Sequence, residues 1–203
     1  MISIRRQTTL SMLVLAIVVA TGTALADPIV CNLSGCSVGI LPGRLVVISP
    51  KNQFQHASEW CWAASISMVF AFYGHDVPQE EIVAQAFHGN IANLPAPGPF
   101  LTAQLNRSWI DSSGKQFSST ATSFDRTTAS FQISPSTIVS DLQANHPLII
   151  GSGGHAMVLT AVGFMPGGPA LWGQVADPLF GFHPIVQAVL FNADYTASIH
   201  VSP

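Results

Sequence analysis

One of the three cysteines of the chain, Cys61, stands where a nucleophile would be expected. It lies in the first turn of a predicted helix, where unpaired backbone N–H groups and the helix dipole favour an anion. We therefore expect the pKa of its thiol to fall from about 8.5 toward neutrality or below. His155 follows Gly153 and Gly154 and begins an apolar segment, so its ring should lie at a strand end and could act as the base.

Two further polar residues fit the same chemistry. Asp177 precedes Pro178 at the end of another predicted strand, and its carboxylate could orient an imidazole and stabilise the imidazolium. Gln55 lies six residues before Cys61, close enough for its amide to join the Cys61 backbone N–H in an oxyanion hole. A lone cysteine at a helix start is more often a small buried residue, but these partners favour catalysis.

The elements that must position these residues follow a helix-then-strand order. Residues 60–73 contain neither Gly nor Pro and are apolar around nearly the whole circumference, which predicts a buried helix ending at Gly74. Further helices are predicted from an Asp76 N-cap to Gly89, and from Ser134 onward. Strands are predicted at 44–48, near Phe117 and Phe131, and at 148–151, 155–164, 171–176, 185–190 and 195–201. This order indicates an α+β domain with an antiparallel sheet.

The first 26 residues are typical of an export signal. Arg5 and Arg6 precede an apolar run at 10–20, and Ala24 and Ala26 fit a small-residue cleavage site. The run is too short for a comfortable membrane span, so we expect cleavage and a secreted or periplasmic product without a membrane anchor. We divide the chain into a signal peptide at 1–26, an N-terminal arm at 27–50 and one domain at 51–203, and expect a monomer.

Composition excludes several partner classes. Without the signal, 5 basic residues face 10 acidic ones, a formal charge of about −5 that argues against nucleic-acid binding. Cys31 and Cys36 flank a turn and could close a disulfide in an oxidising compartment. No pairing of the other histidines marks a metal site, so we expect no metal and no cofactor. These histidines are read as surface or loop residues, and His56 as a neighbour of the cleft rim: His56, His75, His88, His146, His183 and His200.

Taken together, these segments resemble papain-like cysteine peptidases, with most similarity to the bacterial effector-type branch. The segments are QHASEWCWAAS at 55–65, GGHAMVLTAVG at 153–163 and VADP at 175–178. The resemblance covers roughly residues 53–200, and 90–130 match only in length. Papain has Asn at the position of Asp177, whereas the effector-type and bacteriocin-exporter peptidases use Asp.

The resemblance implies a helical part that carries Cys61, packed against an antiparallel sheet or half-barrel, with the active-site cleft between them. It implies an amide hydrolase that acts on peptides or proteins through a Cys-His-Asp triad and a Gln oxyanion hole, and the signal at 1–26 adds the expectation that this hydrolase is exported. The expected substrate-binding residues are Trp60, Trp62, Gly153 and Gly154. Few charges occur among Trp60, Trp62, Phe180 and the loop at 95–100, which favours neutral or apolar substrates.

Two alternatives remain at this point. The same fold could serve as a catalytically inactive binding or interaction module, because architecture alone does not fix activity. The acyl group could also be transferred to an amine instead of water, since the two reactions differ only in the acceptor.

Overall fold

A computed structural model describes residues 29–48, 53–128 and 134–203 of the chain. Within these ranges it forms six helices and a nine-stranded sheet. The helices are α1 (Pro42–Leu45), α2 (Cys61–Phe72), α3 (Gln79–Ala86), α4 (Gly98–Leu105), α5 (Pro135–Gln143) and α6 (Gln187–Phe191). The strands are β1 (Val30–Asn32), β2 (Gly35–Gly39), β3 (Arg107–Ile110), β4 (Gln116–Asp125), β5 (Leu148–Ser152), β6 (His155–Phe164), β7 (Ala170–Asp177), β8 (Gly181–Val186) and β9 (Tyr195–Ser202). The predicted signal at 1–26 and the strand near Phe131 lie outside the described residues.

The sheet is antiparallel throughout and is organised around β6. Along one edge, β6 pairs first with β5 and then with β2, and along its other edge it pairs with β7. The full order is β1-β2-β6-β5-β9-β4-β3, with β8 continuing from β7. Helices packed on an antiparallel sheet confirm the predicted α+β class.

The helix α2 is the centre of the core and contacts β6, β5 and α3. Ten of its twelve residues are buried, as the unbroken apolar sequence predicts for a helix that packs on all sides. It ends as expected at Tyr73, after which Gly74 takes a left-handed φ of +86°. Its packing fixes the direction of the first turn, where Cys61 lies.

The β5–β6 hairpin places His155 at the start of its strand. Gly153 and Gly154 form the two-residue connection between the paired Ser152 and His155, with φ of +60° and +82°. Two successive positive φ values are the signature of a type I′ turn, for which glycine is suited. A Cβ built on either glycine meets nothing within 4 Å, so no other element packs closely against them. The two glycines are needed for the positive φ values of the turn.

Several predicted elements are wrong in kind or in extent. Residues 44–48 are not a strand, because a single helical turn, α1, occupies 42–45. The strand predicted at 185–190 is the end of β8 followed by the short helix α6. The helix α3 begins later than predicted, with Pro78 as N-cap instead of Asp76.

The predicted N-terminal arm contributes to the main sheet. Its strands β1 and β2 form a hairpin in which Cys31 and Cys36 pair and are joined by a disulfide. The inner strand of this hairpin, β2, also pairs with β6 at residues 161–164, and β1 forms the edge of the sheet. No helix in the described ranges is long and apolar enough to cross a membrane.

Candidate active site

Cys61 is the first residue of α2 and carries a free, partly exposed thiol. The residue before it, Trp60, is the N-cap and provides no side-chain hydrogen bond to the first turn. The first backbone N–H groups of the helix have no intrahelical acceptor, so they and the helix dipole favour negative charge at this end. The local structure therefore suits a thiolate and the oxyanion that forms when a thiolate attacks a carbonyl.

The His155 ring lies between Cys61 and Asp177, two residues that are far apart in the sequence. Its Nε2 lies 2.8 Å from Asp177 Oδ1, which leaves Nδ1 for the interaction with the Cys61 thiol. The hydrogen bond to Asp177 and, second, that to Cys61 raise the pKa of His155 to about 9, against the effect of burial. The structure thus brings together the three residues that the sequence predicts as a triad.

Asp177 ends β7 and is 2% exposed. Burial alone would raise the pKa of its carboxyl group, but hydrogen bonds from His155, His183 and the Leu179 amide lower it to about 2. Its Oδ1 accepts from the Leu179 N–H at 2.7 Å and the Phe180 N–H at 3.3 Å. The two histidines and the backbone N–H groups thus favour the ionised form of Asp177 and fix the orientation of its carboxylate.

His183 is a second histidine on the same carboxylate, which the sequence reading missed. Its Nε2 lies 3.0 Å from Asp177 Oδ2, and its Nδ1 lies 3.1 Å from the carbonyl oxygen of Pro184. Both nitrogens face acceptors, and only an imidazolium donates from both. The hydrogen bond to Asp177 accordingly raises the pKa of His183.

Strand register explains why three distant residues share one face. Leu159 pairs with Val175 and Val175 pairs with His183, so these side chains form one row across β6, β7 and β8. Side chains alternate with period two, so His155 and Asp177 point to the same face as that row. The sequence indicates which residues of a strand share a face, but it does not show which residues of the neighbouring strand lie opposite them. The place of His183 beside Asp177 could therefore not be predicted from the sequence.

Gln55 lies beside the site but is already engaged. Its backbone N–H donates to Pro178 O at 3.0 Å, which ties the segment before Cys61 to the turn after Asp177. Its Nε2 donates to Ala57 O at 2.9 Å and to Ser58 O at 2.8 Å. Its Oε1 is buried without a hydrogen-bond partner among the described residues. In this state the amide shapes the loop that leads into α2.

Trp60 and Trp62 are core residues, 5% and 1% exposed. Their indole N–H groups donate to Ala92 O at 2.9 Å and Leu94 O at 3.1 Å. The two side chains thus hold residues 92–94, which lead into the loop at 95–100, against the start of α2, and the structure does not bring them to the surface of the cleft. Their contribution to the site is the position of that loop.

An exposed apolar rim lies next to the triad. Phe180 is 76% exposed, and Leu179 and Phe54 are nearly half exposed. Phe54 precedes Gln55, and Leu179 follows Pro178, so the Gln55–Pro178 hydrogen bond brings the two parts of the rim together. His56 lies at the same end, with its Nδ1 2.6 Å from Glu80 Oε1, in keeping with its predicted place near the rim.

Comparison with known proteins assigns the chain to a protein family. The Peptidase_C39 like family matches residues 47–194. Two solved structures are similar: a double glycine motif protease from an AMS/PCAT transporter, in complex with the leader peptide, and UfSP from C. elegans.

The first is 16% identical with a TM-score of 0.44, and the match covers 74% of this chain and 89% of that chain. The second is also 16% identical, with a TM-score of 0.43, and the match covers 72% of this chain but only 30% of that chain. No curated protein matches the sequence. Because the family match spans well over half of its length, the chain belongs to the Peptidase_C39 like family and is a papain-like cysteine peptidase.

Proposed function

We propose that the protein hydrolyses peptide bonds with Cys61 as nucleophile, His155 as general acid and base, and Asp177 as the residue that orients the imidazole. The observation that carries the proposal is the His155 ring, whose Nε2 lies 2.8 Å from Asp177 Oδ1 and whose pKa is raised to about 9, first by Asp177 and second by Cys61. A histidine that keeps its proton at neutral pH supports a thiolate–imidazolium pair.

In this reaction the Cys61 thiolate attacks the substrate carbonyl carbon, and the C–O π electrons move onto oxygen. As the tetrahedral intermediate collapses, the C–N bond breaks and His155 gives its proton to the leaving amine. Water then attacks the thioester while His155 accepts its proton. The second collapse releases the carboxylic acid and regenerates Cys61.

The oxyanion would be held by the Cys61 backbone N–H and the Gln55 amide. Gln55 supports this assignment by its position, because the Pro178 hydrogen bond fixes it beside the triad. Both of its amide hydrogens are on backbone carbonyls without substrate, so substrate binding has to release one of them. The buried Oε1 without a described partner makes the present position of the amide easier to give up.

His183 is proposed as a positioning residue. It occupies the second oxygen of Asp177, which leaves Oδ1 to His155 and to the backbone N–H groups. As an imidazolium it also shares the negative charge of Asp177 with His155, so the carboxylate stabilises the His155 imidazolium less strongly. His183 therefore lowers the basicity of His155 to some extent, and in return it fixes the orientation of the Asp177 carboxylate.

The substrate is proposed to be a peptide or protein with neutral or apolar residues near the cleaved bond. Phe180, Leu179 and Phe54 form an exposed rim beside the triad, and apolar side chains bind such surfaces by removing them from water. Profiling with a peptide library tests this. Dominance of an acidic or basic residue next to the cleaved bond would contradict it.

Export to the periplasm or the medium, with removal of residues 1–26, is proposed together with this activity. Its support is that this segment begins with charged residues, continues with an apolar run and ends with small residues, as an export signal does. The disulfide between Cys31 and Cys36 fits an oxidising compartment.

The decisive experiment combines turnover with mapped thiol labelling of the chain beginning at Asp27. Stoichiometric iodoacetamide should label Cys61 and abolish hydrolysis in the same proportion, and Cys61→Ser and His155→Ala should each remove nearly all turnover. His88→Asn is the matched control, since His88 is an exposed histidine in a left-handed conformation that Asn tolerates. Hydrolysis that survives Cys61→Ser would end the proposal, and peptide binding without turnover would favour the binding module.

A further inference from the structure

Three side chains with metal-ligand atoms meet on the part of the sheet where β5 begins. They are Asp141 on α5, His146 in the connection to β5, and His200 on β9. One ligand atom from each lies within 4.8 Å of the other two. The imidazole rings of His146 and His200 are 4.7 Å apart between centroids and nearly perpendicular, so their edges can face a common point.

The sheet register accounts for the pair of histidines. Leu148 pairs with Ser198 where β5 and β9 run antiparallel. Continued by two residues, the same register sets His146 opposite His200. The last turn of α5 then supplies Asp141, whose carbonyl accepts the His146 N–H at 2.7 Å. Three separate elements thus converge, although no spacing in the sequence marks the group.

A second, independent observation is the state of the Asp141 carboxylate. Its Oδ2 is buried and has no hydrogen-bond partner among the described residues. A buried carboxylate oxygen without a partner costs free energy, and a bound cation removes that cost.

The surrounding groups are committed elsewhere. Arg44 donates to Phe72 O at 3.2 Å and stacks 4.0 Å above the Phe72 ring, and the Tyr73 hydroxyl donates to Ile199 O at 2.9 Å. The charge of Arg44 opposes a cation here, so binding has to come from coordinate bonds and not from general attraction.

We propose that Asp141, His146 and His200 bind a divalent transition-metal ion, with zinc as the ion that best fits. Two imidazole nitrogens and one carboxylate oxygen are a donor set for zinc, whereas magnesium and calcium prefer oxygen ligands alone. Bonds of about 2.0–2.1 Å place neighbouring ligand atoms about 3.4 Å apart in a tetrahedron, so the site must contract slightly. His200 is exposed and its ring can turn inward to do so.

This site is separate from the catalytic residues. It lies at the first residue of β5, while the hairpin that carries His155 lies at the last, and five residues of strand span about 15 Å. A metal here would tie α5, β5 and β9 together. Its effect is therefore on stability and not on the chemical step.

The test uses Cys61→Ser protein freed of metal with a chelator, because a thiol–imidazole pair also binds zinc. Calorimetric titration with zinc chloride alone should give one zinc per chain, and the melting temperature should rise with zinc. His200→Ala should weaken binding at least 100-fold and remove that rise, whereas His88→Asn should change neither. Magnesium chloride should not bind.

Absence of zinc binding, or equal binding by the His200→Ala protein, would overturn the proposal. Because His200 is exposed, its replacement should leave the fold intact, which circular dichroism checks. Should His200→Ala nevertheless fail to fold, His200→Gln provides the same comparison. Cobalt(II) in place of zinc gives a second readout: absorption bands of a four-coordinate site should be present with His200 and absent without it.

Discussion

Replacing Asp177 with asparagine should move the alkaline limb of the activity profile to lower pH. The substitution keeps the size of the side chain and an oxygen for the Leu179 N–H, but removes the negative charge beside the His155 ring. Asp177 is 2% exposed, so water cannot take the place of the lost charge. The His155 imidazolium therefore loses its principal stabilising partner.

The size of the effect follows from the contacts of His155. Its pKa is raised from 6.5 to about 9, first by the hydrogen bond to Asp177 and second by that to Cys61. When the contact with Asp177 is lost and that with Cys61 is kept, the pKa of His155 should lie between about 7 and 8. This shift lowers the stability of the imidazolium by about 1.4 to 2.7 kcal/mol. The His155 side chain is 24% exposed, and screening by water favours the smaller figure. Loss of the fixed tautomer adds to this, so kcat/KM near neutrality should fall by about 2 to 4 kcal/mol, roughly 30- to 1000-fold.

The assay is kcat/KM from pH 5.5 to 10 for both proteins. A raised histidine pKa keeps the proton on His155 as pH rises, so wild-type activity should decline only through a pH of about 9. In Asp177→Asn the decline should begin between about pH 7 and 8, and the deficit should therefore grow with pH.

Asp194→Asn is the matched control, because within the described residues this half-exposed carboxylate contacts the Gly153 N–H and Arg126 and not the His155 imidazole. A uniform loss of activity in Asp177→Asn, with the limb still near pH 9, would refute the electrostatic reasoning.

Three further results are expected. Alkylation of the unreduced protein should modify Cys61 alone, because Cys31 and Cys36 are joined; mass spectrometry showing label on all three would disprove the bridge. His183→Ala should lower kcat several-fold with little change in KM and move the alkaline limb upward, the opposite direction to Asp177→Asn, and His183→Gln should restore part of kcat by donating to Asp177 Oδ2. A limb that does not move would make His183 merely structural. The exported protein should begin at Asp27 or within a few residues of it, and an intact mass that includes Met1 would contradict this.

The sequence was informative where local physics decides the structure. The stretch that became α2 has no Gly or Pro and ends at Gly74, so its helical state and burial follow from composition alone. The Gly153-Gly154 pair admits the positive φ values of a tight hairpin, which places His155 at a strand start. Ser134 accepts the Thr137 N–H as an N-cap, as its position before Pro135 predicts.

The sequence was uninformative where the structure depends on very short elements or on the register between strands that are far apart in the sequence. The four residues of α1 and the five of α6 are too few for a helical period to be visible, and their apolar residues resemble those of strands. The position of His183 beside Asp177 depends on how β8 pairs with β7, and the group of Asp141, His146 and His200 depends on how β9 pairs with β5. Such pairings are set by the whole sheet and leave no signal in a single segment.

The pairing of β2 with β6 has a consequence for the order in which the molecule can fold. More than 120 residues separate Val38 from its partner Val162, so the hairpin, which is synthesised early, has to wait for a strand that is synthesised much later. The covalent link within the hairpin can preserve its shape during that wait. A shortened chain that starts at residue 51 would lose β2 and leave 161–164 as an unpaired edge of the strand that begins with His155. Such an edge invites pairing with other chains, so truncation there should promote self-association.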